Sequence, residues 1–412
     1  MPKKINQKKS AGRCWPLPKR GKVRNLYKKP VTNHNSKTMK KFAPVPYVRH
    51  GEPTTKNRTD RQRWGHSIPQ FMRMREETLI RTLTKENILQ DWSGKLCPHC
   101  GEGKLGKLTK HSSRHAWLYR CPRKKCQKFV QPHDFHPIFF GGAGNSYTDF
   151  NTQVCALFSA VAGVSSTATH LILDVDHKPV ERIFTNLEIA RARYVEHQEK
   201  LITYGDPSGS MWKDVEADEV DLGKALVDDA DDPAYNLKWE QWCGIVERGR
   251  PTSLRLFRLQ PPATKPNSPG PGPIRKIEWG KIGAPLLRDR KVVLHTDGAR
   301  AYKLRMPGLL HANVVHKKKR VMLKGQVRWI KPHFTKVYDL KLPEGGKLRV
   351  KSGTQIIDRF WGHVRSYIRR APRKPGNPVL RRKLRAAQFT YWNKGRNAWK
   401  AVGDMLLKLY AL

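Results

Sequence analysis

Acidic residues are scarce in this chain. Asp and Glu number 34 against 81 Lys and Arg in 412 residues, a formal net charge of +47. So large an excess calls for a polyanionic partner. Cations that neutralise phosphates release condensed counterions, and that release drives nucleic-acid binding at ordinary salt. Long apolar runs are lacking too. No stretch of about 18 apolar residues occurs, which excludes an ordinary membrane-spanning helix. A basic amphipathic helix followed by an apolar anchor is also missing, so an anionic membrane surface is the weaker partner. The opening residues MPKKINQKKS contain no apolar segment of the kind a secretory leader needs. Cysteine is sparse, seven residues in all, too few for a disulfide scaffold, and a reducing compartment is expected. Hydrophobic residues make up 38%, enough for real cores but low enough that part of the chain is expected to be unfolded. The length suits two or three domains of about 100–200 residues.

Residues 1–65 read as a basic disordered tail. The first 60 carry 17 Lys and Arg against Glu52 and Asp60, with scattered prolines and no apolar period. Such a segment cannot bury enough surface to offset its ordering entropy. Residues 66–93 turn helical, since Phe71, Met74, Leu79, Ile80, Leu83, Ile88 and Leu89 recur at three- and four-residue spacing. Residues 94–140 form a cysteine-bearing module. Within 145–200 the pattern predicts three helices, Phe150 to Val161, Ser165 to Leu173 and Pro179 to His197, punctuated by Gly163 and the Asp174–Asp176 segment. Three such helices suggest a helix-turn-helix. The last carries Arg182, Arg191 and Arg193, cations suited to phosphates or base edges. A plain helical bundle is the competing reading.

From 208 to 412 strand and helix signals alternate, which indicates an α/β layer fold. Strands are expected at 212–218, 241–247, 253–259, 291–296 and 312–316, and helices at 298–305, 354–370 and 377–410. A Pro/Gly-rich loop near 260–275 reads as an insertion within this unit.

Two constellations carry chemistry. Cys97 and Cys100 lie in CPHCG, and Cys121 and Cys126 in CPRKKC, twenty residues further on. Paired cysteines on tight turns at this distance predict a structural zinc site, and four thiolates leave no open position for catalysis. The second pair is spaced two residues wider than usual, and His99, His111, His115 and His133 are possible substitute ligands. Cys14, Cys155 and Cys243 have no partner spacing.

The second constellation is acidic. In WKDVEADEVD, period-two alternation puts Asp214, Glu216 and Asp218 on one face of a strand. Asp297 follows an apolar run in KVVLHTDGARAY, at a strand's C-terminal end, where ligands of open α/β sheets gather. Asp358 lies on a helix in GTQIIDRFWGHVR, with Arg365 about two turns later on the same side. Each acid alone reads as an ordinary strand-end, turn or helix-surface charge. Three converging carboxylates are costly without a cation, and two divalent ions about 3.5–4 Å apart would neutralise them and serve phosphodiester chemistry.

These blocks together, in order, resemble the zinc-ribbon insertion-sequence DDE transposases and their Merlin-like relatives. The resemblance covers roughly residues 70–400. It rests on CPHCG, NLEIARARYV, VEADEVDLGK, WCGIVERG, HTDGARAY, HANVVH, IIDRFWGHVRSYIRR and AAQFTYWNKGR. It implies an RNase H-like mixed five-stranded sheet with flanking helices. It also implies cleavage and joining of double-stranded DNA at terminal inverted repeats, with two magnesium or manganese ions. By motif, the acids are Asp218, Asp297 and Asp358, the last in a place where relatives carry Glu or Asn. Arg365 would hold a phosphate, and Glu216 and Glu219 would stand behind the ligands, Glu219 as the nearer substitute. Lys317, Lys318, Lys319 and Arg320 are expected on the DNA face, against the plainer reading of a solvated loop. A homodimer or larger assembly would bring two DNA ends together. The compartment would be the nucleus in a eukaryote, otherwise cytoplasm or nucleoid. Two other readings stand beside this one: a domesticated, catalytically silent DNA-binding protein, and a structural RNA- or ribosome-associated protein.

Overall fold

The computed structural model describes residues 47–48 and 64–411, apart from 115, 142–146, 207, 229–230, 316–318, 324, 331, 333 and 370. Most of the segment read as a tail therefore lies outside the described residues. Tyr47–Val48 forms a short strand, β1. Two helices follow, α1 (Ile68–Arg73) and α2 (Glu76–Lys85). The cysteine module is a three-stranded antiparallel sheet of β2 (Thr109–His111), β3 (Ala116–Arg120) and β4 (Phe129–Val130).

Three helices come next, as the sequence pattern predicts: α3 (Phe150–Ala162), α4 (Ser166–Leu173) and α5 (His177–Gln198). Local chemistry explains their limits. Asp149, Ser165 and Asp176 each cap a helix start, accepting from the backbone N–H of Thr152, Ala168 and Lys178. Gly163 and Asp174 close α3 and α4 in the left-handed conformation.

The main sheet contains β5 (Trp212–Leu226), β6 (Leu237–Glu247), β7 (Arg255–Arg258), β8 (Val292–Thr296) and β9 (Leu309–Asn313). Their order across the sheet is β7-β6-β5-β8-β9. The pairs β5–β6 and β6–β7 are antiparallel, while β8 and β9 run parallel to β5. β1 pairs in parallel with the first residues of β5. The expected five-stranded mixed sheet with flanking helices is therefore present.

Several elements differ from the sequence expectation. Helix α6 (Lys276–Leu287) lies between the Pro/Gly loop and β8. Gly280, Gly283 and Pro285 interrupt its pattern and hide it. The helix expected at 298–305 is a single 3-10 turn at Arg300–Lys303. Two hairpins occupy the stretch after β9: β10 (Lys319–Leu323) with β11 (Gln326–Ile330), and β12 (Lys336–Lys341) with β13 (Lys347–Ser352). Their alternation is masked by lysines and arginines at nearly every turn. The helix expected at 354–370 is α7 (Gln355–Tyr367). The one expected at 377–410 is two helices, α8 (Pro378–Trp392) and α9 (Ala398–Leu409), divided where Asn397 caps α9.

The hydrophobic core does not divide near residue 200. One buried cluster runs from Phe71 and Leu83 through Leu157 and Leu187 to Val220, Phe360, Leu384 and Val402. It joins the N-terminal helices and the C-terminal ones to one face of the sheet. The opposite face packs Val215, Ala217 and Cys243 against Trp279 and Tyr302. Among the described residues no helix is long and apolar enough to cross a membrane.

Candidate metal and carboxylate sites

The four cysteines predicted as ligands come together. Their sulfurs lie within 4.8 Å of one another, with Cys97–Cys126 and Cys100–Cys121 each at 3.8 Å. A tetrahedral ion with bonds of about 2.3 Å to sulfur needs edges of about 3.8 Å, so the cluster fits a metal such as zinc. The surroundings are shaped for it. Backbone N–H groups of Gly103 and Glu102 bring the Cys100 thiol down to about 6, favouring the thiolate, while burial pushes Cys121 up to about 12. A Cβ at Gly103 would sit 2.4 Å from the Cys121 sulfur, so only glycine fits there. The two extra residues of the second pair fold into a turn. Cys126 and Gln127 both donate to the Arg123 carbonyl, and Gln127 adopts a left-handed φ of 48°. Three of the histidines considered as substitutes are engaged elsewhere: His99 packs on Phe135, His111 on Phe129, and His133 stacks on Phe150. His115 lies outside the described residues.

The acidic site begins on β5, the central strand. Asp214, Glu216 and Asp218 share the face toward α7, as the period-two pattern predicts. Two of these acids are structural. Asp214 meets the Nε2 of His295 on β8 at 2.7 Å, fully inside the protein. Glu216 uses both oxygens: Oε1 accepts from the Nε of Arg248 at 2.8 Å, and Oε2 accepts from the N–H groups of Ile356 at 2.8 Å and Ile357 at 3.1 Å. A carboxylate at a helix N-terminus satisfies donors that have no partner inside the helix and complements its dipole. Glu216 thus ties the first turn of α7 to β5. Arg248 extends the tie by donating to the carbonyls of Lys351 and Gly353. Burial raises the Glu216 carboxyl, against the pull of Arg248 and the two N–H groups.

Asp218 has a different environment. Burial raises its pKa well above the ordinary carboxylate range, and the charges that add to the rise are Glu219, Asp358 and Asp297. Asp297 and Asp358 therefore lie near enough to Asp218 for their charges to act on it. Asp297 leaves the end of β8 and accepts from the Ala299 N–H at 2.9 Å. Asp358 is exposed on the first turn of α7, where the Thr354 hydroxyl donates to it at 3.1 Å. Their spacing is wider than that of the thiols: among the described residues only the cysteines draw three or more ligand atoms within 4.8 Å. Glu219 points to the other face, held by the Tyr302 hydroxyl and by the Ile274 N–H at 3.1 Å. Burial raises it, and Asp297 adds to the rise.

The helix α7 lies close on the sheet because of one residue. Gly244 pairs with Asp218 across β5–β6, and a Cβ there would meet Ile357 and Trp361 at 2.8 Å. Arg365 is exposed two turns after Asp358, and its charge acts on Asp221, easing that acid's burial.

The expected DNA-facing cations fall in several environments. Arg182 is exposed, with its guanidinium 4.1 Å over the ring of Phe140. Arg193 is exposed. Arg191 corrects the sequence reading: it is only 6% exposed, donates to the Tyr367 hydroxyl at 3.4 Å and lies over Phe389. Helix α5 is packed between α3 and α8, so its mid-length arginine serves packing. Arg320 is exposed on β10. Lys317 and Lys318 lie outside the described residues, as does the Lys319 side chain.

The sequence reading left two structural parts unassigned, the Arg248 tie and the close approach at Gly244. Both lie in WCGIVERG, and neither residue type advertises its role. Comparison with known protein families, curated proteins and solved structures gives no match for this chain.

Proposed function

We propose that the chain is a DDE-type DNA transposase, with a zinc ribbon, a helix-turn-helix module and an RNase H-like catalytic core. The observation that carries the reading is the buried position of Asp218 on the central strand, with Glu219, Asp358 and Asp297 as the neighbouring charges that raise it further, in a chain of net charge +47. In a chain so rich in cations, the charged neighbours that act on Asp218 are acids, which is costly unless a cation site is being kept. The sheet supports the same reading. Its first three strands are antiparallel and the last two run parallel to the first. The acids sit on the first strand, after the fourth, and on the helix that follows the sheet.

Asp218, Asp297 and Asp358 are the residues that would hold magnesium or manganese. Divalent cations there supply activation of an attacking hydroxyl and stabilisation of the leaving oxygen in phosphodiester cleavage and joining. The chain itself fixes the geometry: β5 and β8 present two acids from one rigid sheet, and Glu216 anchors the helix that presents the third. Arg365 would hold a phosphate beside the site. Double-stranded DNA is the substrate, and a homodimer or larger assembly would pair its ends. The nucleus is the compartment in a eukaryotic host, otherwise the cytoplasm or nucleoid.

A second reading, a silent DNA-binding descendant, draws on the short, exposed third acid and the wide spacing of the carboxylates. Nicking of supercoiled plasmid DNA in manganese separates the two. Wild type should nick, and Asp297→Ala should not. Binding without nicking, with cutting restored by Asp358→Glu, would favour the silent descendant. Preferential binding of structured RNA would oppose both.

A further inference from the structure

The described side chains of the hairpin β10–β11 are exposed, apart from the half-buried Val321. Among the described residues, none from 319–330 belongs to the four buried clusters. The register pairs Arg320 with Trp329 and Met322 with Val327, so these four share a face. On that face Trp329 is 63% exposed and Met322 66%. A two-stranded hairpin with no core beneath it is marginal alone, and large apolar side chains in water call for a partner. The partner's charge can be read from the sequence. Residues 316–336 carry eight Lys and Arg and no Asp or Glu. Aromatic and apolar side chains interleaved with cations fit DNA, where phosphates meet the cations and a ring stacks on a base.

The described residues flanking this hairpin are tied at the rim of the carboxylate site. On the way in, Asn313 pairs with Thr296, next to Asp297, and a Cβ at Gly298 would touch Val315. On the way out, the Phe334 carbonyl accepts from the side chain of Gln355, three residues before Asp358. Each flank is therefore tied within a few residues of one of the acids.

The geometry points to a DNA-clasping arm: the β10–β11 hairpin grips the strand entering the carboxylate site and stacks Trp329 on a base unpaired beside it. This rests on the DNA-cleaving reading for the site but not for the arm. The test uses the full chain and a nicked duplex without divalent cation, with 2-aminopurine as the neighbour of the base beside the nick, so that the probe loses its stacking partner when Trp329 takes that base. Wild type should raise the 2-aminopurine fluorescence on binding. Trp329→Ala should abolish the rise and weaken binding roughly tenfold. Trp329→Tyr should restore both, and Trp329→Leu should not. Arg320→Ala with Arg328→Ala should flatten the logarithmic salt dependence by about two units. The hairpin's exposure predicts unchanged melting temperatures for all of these. Unstacking and affinity equal to wild type in Trp329→Ala, or in a Gly-Ser replacement of 319–330, would overturn the arm. So would loss of a dimer with unstacking unchanged, since the face would then join two copies. Nicking that ignores Trp329 refutes the arm and leaves the catalytic reading standing. Unstacking that depends on Trp329 in a wild type that never nicks does the reverse.

Discussion

Glu216 offers a sharp test of how the third acid is held. Its two oxygens have separate duties, one to Arg248 and one to the N–H groups of Ile356 and Ile357. Glu216→Ala removes both. It leaves the Arg248 side chain, 7% exposed, with Asp214 at 3.9 Å as its remaining carboxylate. Breaking one partner of a buried pair costs about 3–5 kcal/mol, and the residual Asp214 contact argues for the lower end, about 3 kcal/mol. Glu216→Gln is more telling. A glutamine has one acceptor oxygen and cannot serve both sides, so a buried donor goes unsatisfied at a cost of roughly 1–3 kcal/mol. The expected order of stability in urea is wild type, then Gln, then Ala. Hydrogen exchange should report faster exchange at the first turn of α7 in both variants, and nicking should fall because Asp358 rides on that turn. A glutamine variant with wild-type stability and wild-type protection at Ile356 and Ile357 would refute the two-duty account.

The cysteine cluster should hold one zinc per chain by native mass spectrometry. Gly103→Ala should lower that occupancy, because its Cβ would lie 2.4 Å from the Cys121 sulfur. Asp218 is held with its pKa well above the ordinary 3.8, so in metal-free protein its folded form keeps a proton that the unfolded form loses. Its contribution is therefore full below about pH 3.8 and declines as pH rises toward the folded pKa. Asp218→Asn should melt higher than wild type at neutral pH without divalent cation. Magnesium should then raise the wild-type melting temperature and not that of the variant. Parallel curves for the two would argue against the coupling. Arg191→Ala should destabilise the fold by about 1–2 kcal/mol through lost packing and leave the salt slope of DNA binding unchanged.

Some of this protein was set by local chemistry and could be read directly. The limits of α3, α4 and α5 follow from Asp149, Ser165, Gly163, Asp174 and Asp176, residues that act within a turn of where they sit. The cysteine cluster follows from pair spacing, since four sulfurs of one chemistry have one useful arrangement. The acids on β5 share a face because strand alternation leaves no choice. Other features depend on partners far away in the chain. Glu216 and Asp218 are two residues apart on one face, yet one caps α7 beside a guanidinium and the other has carboxylates as its charged neighbours. Nothing local separates them; the approach of α7 and Arg248 does. Arg191 and Arg193 look alike on one helix, and the packing of α8 buries the first while the second stays in water. The Trp329 hairpin was hidden because its strands carry charge where a buried strand would alternate. Short-range rules set the limits of these three helices and the ligand types. Which acids became structural, which arginine was buried and which tryptophan was left exposed were decided by tertiary packing, because desolvation and charge neighbours exist only once distant segments meet.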